Sequence, residues 1–146
     1  MEIGAVKFDN RGLISRFSVL IDPGITMPPE ATMINRISDE MLRGKPRLDG
    51  VLPDFLRFIR GAPLLAHNAP FDCGFLNESM QSPLSNPIFD TLIASREFFP
   101  GMQSYSLQNL TASLGISARN AHRAEDDASL CMEIFLLCAA RAGGRG

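Results

Sequence analysis

Two stretches of this sequence place reactive residue types at a spacing that supports chemistry. The first is Leu64-Leu65-Ala66-His67-Asn68-Ala69-Pro70-Phe71-Asp72. A short apolar run there leads directly into a helix. Asn68 is a candidate cap, and Pro70 is tolerated in the first turn. Asp72 then lies in that turn, where a carboxylate complements the positive helix end. A carboxylate at a strand-to-helix junction can also face the crevice beyond the strand end. Taken alone, Asp72 reads as a helix-end charge.

The second stretch is Ala121-His122-Arg123-Ala124-Glu125-Asp126-Asp127. Three acids open a helix, which again fits the macrodipole, and Glu125 and Asp126 read as solvated N-terminal charges. His122 stands just outside that helix, after a polar loop and five residues before Asp127. Such a loop can hold an imidazole near a carboxylate without burying it. Histidine has the proton affinity to act as a base on water near neutral pH. Carboxylate oxygens are the hard ligands that Mg²⁺ and Mn²⁺ prefer.

Other chemistries have no local support. The sequence contains no GxGxxG, GxxxxGK[ST], GxSxG or HExxH, which removes the usual signatures of dinucleotide, P-loop, serine-hydrolase and zincin sites. With His67 and His122 the only histidines, a histidine-rich metal centre is excluded. Cys73, Cys131 and Cys138 form no CxxC pair. Cys131 and Cys138 share one face of a helix and read as buried small hydrophobes rather than zinc ligands or a disulfide framework.

The elements that must position these residues can be read from periodicity. Glu2 to Phe8 and Leu13 to Ile21 read as a hairpin around Asp9-Asn10-Arg11-Gly12. Ile3-Gly4-Ala5-Val6 is apolar at every position, as in a strand covered on both faces. Phe17, Val19 and Ile21 share one face of the return strand. Residues 23–48 form a connector with short helical turns at Pro28-Pro29-Glu30 and after Ser38. An amphipathic helix over 49–60 carries Val51, Leu52, Phe55, Leu56 and Ile59, and Gly61 stops it. Pro63–Ala66 reads as a short buried strand, and Pro87–Phe89 as another short strand. Asp90 caps a helix to Phe98, Ser106–Leu114 forms another, and a last helix spans Glu125–Arg141 with Leu130, Ile134, Leu137 and Cys138 inward. This order describes a mixed α/β layer protein in a single domain over residues 1–142, with 143–146 a frayed tail.

Composition fits that reading. The chain has 146 residues, enough for a real core, with 45% hydrophobic and 21% charged residues. No run is long enough for a membrane span and no signal peptide is visible, so a cytoplasmic location is expected. The net charge of −2 argues against grip on long nucleic acid through a basic surface. It leaves room for an enzyme that acts on a strand end, where metal ions supply positive charge.

HNAPFD and HRAEDD, about fifty residues apart in this order, resemble the second and third motifs of the DEDDh 3′–5′ exonucleases, the family of the proofreading subunit of bacterial DNA polymerase III. The likeness extends to MEIGAVKFDNRG, to Ile37-Ser38-Asp39-Glu40-Met41-Leu42 with Pro46, to Phe89-Asp90-Thr91-Leu92 and to Ser106-Leu107-Gln108-Asn109-Leu110. It implies a ribonuclease H-like fold, a mixed central sheet flanked by helices. Asp72 and Asp127 would hold two divalent ions, Mg or Mn. His122 would be the general base, and Asn68 and Phe71 would contact the substrate. The substrate would be a single-stranded DNA or RNA 3′ end, and a DNA polymerase would be the partner in replication. The alternative is a non-catalytic module that binds nucleic-acid ends or a polymerase.

The family's first motif, Asp-x-Glu, belongs on a central strand just before Glu2–Phe8, and no such strand segment occurs here. Asp49 and Asp54 fall on a helix. With only Asp72 and Asp127 of the four carboxylates, the expectation is weak metal binding and little activity from the 146-residue chain. The first, central strand of the sheet is expected to be absent. Its neighbours would then close over the gap or be completed by a second chain, or the natural product begins further upstream; the sequence favours the last.

Overall fold

The hairpin is set by its turn. In the computed structural model, which describes residues 2–26, 28–80, 82–117 and 123–144, strand β1 (Glu2–Asp9) pairs antiparallel with β2 (Gly12–Leu20). The Arg11 N–H donates to Asp9 Oδ1 at 2.8 Å. Gly12 takes φ +122°, a conformation that favours glycine. Ile3 faces Val19 and Ala5 faces Phe17, with a register irregularity between Lys7 and Phe8. Every residue of β1 up to Phe8 is half-buried, in keeping with its lack of polar alternation.

Residues 1–60 with 120–128 form one compact unit, and residues 61–119 with 129–146 a second. In the first unit, helices α1 (Pro29–Asn35) and α2 (Asp39–Leu42) occupy the connector. Ser38 caps α2 by accepting from the Met41 N–H at 3.3 Å. Helix α3 (Leu48–Ile59) buries Val51, Leu52, Phe55 and Ile59, the apolar stripe read from the sequence. Phe17 of β2 meets it, with ring centroids 5.7 Å from Phe55 and 5.5 Å from Phe58. The helix ends on Arg60 at φ 48° rather than on Gly61, so the positive-φ position falls one residue earlier than expected.

In the second unit, β3 (Leu64–Ala66) and β4 (Ile88–Asp90) pair in parallel, joined by a connection containing α4 (Ala69–Glu78). Among the described residues the four strands make two two-stranded sheets, one antiparallel and one parallel. Helices α5 (Thr91–Phe98) and α6 (Leu107–Ser113) follow. Ser106 accepts from the Asn109 N–H at 3.1 Å at the start of α6. The last helix, α7 (Ala124–Gly144), belongs to this unit from Ser129 onward and extends past the expected end at Arg141. Leu110, Ile134 and Cys138 form the core here, with Phe98, Phe99 and Met102 packed against them.

Leu137, expected inward, is instead exposed. Leu130, Ile134 and Cys138 repeat every four residues and define the buried stripe, and Leu137 falls beside it. No described helix is long and apolar enough to cross a membrane.

Candidate functional site

The turn between β3 and α4 leads into the helical turn that holds Asp72, and one carboxylate organises it. Asp90 Oδ1 accepts the Asn68 N–H at 2.9 Å, and Oδ2 accepts the Ala69 N–H at 3.0 Å. Oδ1 also accepts the Leu92 N–H at 2.8 Å, which is the cap of α5 expected from the sequence. A single side chain thus satisfies donors at the starts of two helices, where the backbone leaves N–H groups unpaired.

Asn68 occupies the cap position of α4 but does not cap it with its side chain. Its backbone is left-handed, φ 67° and ψ 59°, a conformation that asparagine tolerates better than most residues. This corrects the sequence expectation. A capping side chain needs extended backbone at the cap residue; here the chain turns sharply and Asp90 performs the service.

His67 fastens the same turn from the other side. Its Nε2 lies 2.6 Å from the Tyr105 carbonyl oxygen, and its Nδ1 lies 2.9 Å from Thr91 Oγ1. Thr91 is fully buried, and its hydroxyl also lies 3.2 Å from the Ala66 carbonyl and 3.3 Å from Cys131 Sγ.

Asp72 sits in the first turn of α4, exposed to solvent. Surrounding protein raises the proton affinity of its carboxyl, the Asp90 charge raises it further, and His67 opposes them. Phe71 beside Asp72 is 75% exposed.

The second motif opens α7. Glu125 does not stand as a solvated charge: Arg16 of β2 donates to it at 2.8 Å. Arg123 grips Glu2 of β1 with Nε and Nη2 at 2.8 and 3.2 Å. Gly4 lets the backbones touch, since a Cβ there would overlap the main chain of Ala124 and Glu125. Asp127 lies in the first turn, its N–H donating to the Arg123 carbonyl at 2.9 Å. His122, the expected base, lies outside the described residues. Asp72 belongs to the second compact unit and Asp127 to the first.

Sequence reading missed three parts of this arrangement: the hold of Asp90 on Asn68 and Ala69, the Glu2–Arg123 pair, and the close approach at Gly4. Only Gly4 carried a signal, because an isolated glycine inside a strand often marks close backbone contact.

Residues 1–135 match the family model described as Exonuclease. The chain belongs to the Exonuclease family. It is 48% identical over 141 residues to the DNA polymerase III subunit epsilon of Treponema pallidum, covering 92% of this chain and 66% of that protein. It is 39% identical over 138 residues to the PolC-type DNA polymerase III of Clostridium perfringens, covering 92% of this chain and 10% of that one. The chain therefore spans under two thirds of the epsilon relative and about a tenth of the PolC relative. The nuclease domain of 3′hExo, a DEDDh family member solved with rAMP, superposes with TM-score 0.82 at 14% identity, covering 95% of this chain and 80% of that one. The ribonuclease H-like fold and the DEDDh resemblance read from HNAPFD and HRAEDD are thereby borne out, and exonucleases of this family depend on divalent metal.

Proposed function

We propose that this Exonuclease-family chain is the 3′–5′ exonuclease domain of a DNA polymerase III epsilon-like protein, with residues 1–142 as the domain. One observation carries the reading. Both motifs, in the family order, fall inside a family match spanning residues 1–135. Asp72 and Asp127 are the proposed carboxylate ligands for two divalent ions, Mg or Mn. Oxygen donors suit such ions. They do not complete a cage: among the described residues no three acidic, histidine or cysteine side chains gather closely enough to hold an ion.

His122 is the proposed general base, taking the proton from the water that attacks the terminal phosphorus. The bond to the 3′ oxygen of the penultimate nucleotide then breaks and a nucleoside monophosphate leaves. Asn68 and Phe71 are proposed to contact the terminal nucleotides, Phe71 by stacking. The proposed setting is cytoplasmic, beside a DNA polymerase.

A second reading is a module that binds 3′ ends without cutting them. The two separate on one assay. A 5′-labelled single-stranded oligonucleotide, DNA or RNA, is incubated with the chain and Mg²⁺ or Mn²⁺. A ladder shortening from the 3′ end, lost in Asp72→Asn, Asp127→Asn and His122→Ala, supports the exonuclease. With only two of the family's four carboxylates present, slow shortening that needs excess chain is the result expected of the exonuclease, and binding of the 3′ end with no shortening even at excess chain supports the module. Neither shortening nor binding refutes both.

A further inference from the structure

The Asp90 carboxylate and the His67 ring are built into the turn that leads to Asp72, yet neither is among the proposed ligands or base. Asp90 uses both oxygens on backbone N–H groups, three of them, at 2.8–3.0 Å. An oxygen filled by such donors is a poor ligand for a cation, although Asp90 is close enough to act on the Asp72 carboxyl. His67 bridges the end of β3 to Thr91 on α5 and to the Tyr105 carbonyl ahead of α6. A carbonyl oxygen only accepts, so Nε2 carries the ring proton.

We infer that Asp90 and His67 are positioning residues for Asp72, locking the left-handed turn at Asn68 so that the first turn of α4 presents its carboxylate in one orientation. The inference rests on the metal-binding role proposed for Asp72. Ala69 is 4% exposed, so its N–H has little access to water if Asp90 lets go. Asp90 acts through the backbone, and its own helix cap on Leu92 is separable from that function. Asparagine caps as well as aspartate. Asp90→Asn therefore keeps an oxygen for Asn68 and Leu92 but turns an NH₂ group toward the Ala69 N–H. Likewise, glutamine at 67 can still reach the Tyr105 carbonyl with an N–H, and alanine cannot.

The test uses the full chain and NMR. With two histidines in the sequence, the His67 ring nitrogens are assignable, and Nε2 should carry the proton. Amide exchange at Ala69 should rise tenfold or more in Asp90→Asn while that of Leu92 stays near the parent value. Mn²⁺ alone should broaden the amides of Phe71, Asp72 and Cys73 in the parent. That broadening should weaken severalfold in Asp90→Asn and His67→Ala and return in His67→Gln. Unchanged Ala69 exchange in Asp90→Asn, or equal broadening in all folded variants, overturns the inference. If Asp90→Asn does not fold, the His67 pair decides by the same readout. If Mn²⁺ leaves the parent unbroadened, the metal role of Asp72 fails, and exchange at Asn68 and Ala69 alone decides whether the lock exists.

Discussion

Glu2 and Arg123, 121 positions apart in the chain, meet in a two-pronged ion pair. The Glu2 side chain is 5% exposed and that of Arg123 34%. The pair is therefore unlike a surface bridge, whose contribution is usually below about 1 kcal/mol. Removing the cation leaves a buried carboxylate whose remaining donor is the Ser18 hydroxyl, 3.4 Å from Oε1. Arg123→Ala should lower stability by about 2–3 kcal/mol, read from urea unfolding. Glu2→Gln should cost less than Arg123→Ala, because an amide is cheaper to bury than a lone carboxylate. Equal stability of parent and Arg123→Ala would show that the pair contributes nothing.

Two glycines should respond to the same substitution with opposite sign. A methyl at Gly4 would run into the main chain of Ala124 and Glu125. Backbone cannot step aside as a flexible side chain can, so Gly4→Ala should cost at least the 1–3 kcal/mol typical of overpacking, about 3 kcal/mol here. At Gly74, inside α4, a Cβ meets nothing within 4 Å. Gly74→Ala should gain up to about 1 kcal/mol through helix propensity. Melting temperatures of the two variants on either side of the parent are the expected result.

What the sequence made legible was local or periodic. The hairpin turn, the Ser38 and Asp90 caps, and the α3 stripe all depend on residues within a few positions of one another, and all are present. The family was legible because HNAPFD and HRAEDD are themselves short. What could not be read was the pairing of distant residues. Nothing in Asp90-Thr91-Leu92 announces a hold on Asn68, twenty-two positions earlier, and nothing marks Glu2 as the partner of Arg123. Leu137 failed for another reason: several apolar positions on α7 compete for one stripe, and spacing alone does not say which loses.

The Cys131 thiol gives a pH dependence of definite sign. Burial pushes its pKa up to about 11, against the ordinary 9.0, with the Thr91 hydrogen bond opposing and the Asp72 and Asp90 charges adding to the rise. The unfolded chain loses this proton first, so between pH 9 and 11 the folded state holds more protons than the unfolded one. Stability therefore falls as pH rises through that window and is unaffected below it. Two units correspond to about 2–3 kcal/mol. Cys131→Ala should flatten the alkaline limb of a stability–pH profile, whatever it costs at neutral pH. The thiol should resist alkylation in the native protein at pH 8 and react once urea unfolds it. Rapid native alkylation of Cys131 would contradict the burial.

Phe71 separates binding from folding. Its side chain is 75% exposed on the first turn of α4, so truncation removes little buried surface. Phe71→Ala should change stability by no more than about 0.5 kcal/mol. If the ring stacks on a terminal base, the loss to affinity is larger, since such stacking is worth about 1–3 kcal/mol per base. A net charge of −2 gives the phosphate backbone little to bind, so stacking should carry a large share of affinity and the salt dependence should be shallow. Anisotropy of a labelled single-stranded oligonucleotide should show at least about fivefold weaker binding for Phe71→Ala and near-parent binding for Phe71→Trp, at both low and moderate salt. Parent-like affinity in Phe71→Ala would remove Phe71 from the substrate contacts while leaving the roles of Asp72 and His122 standing.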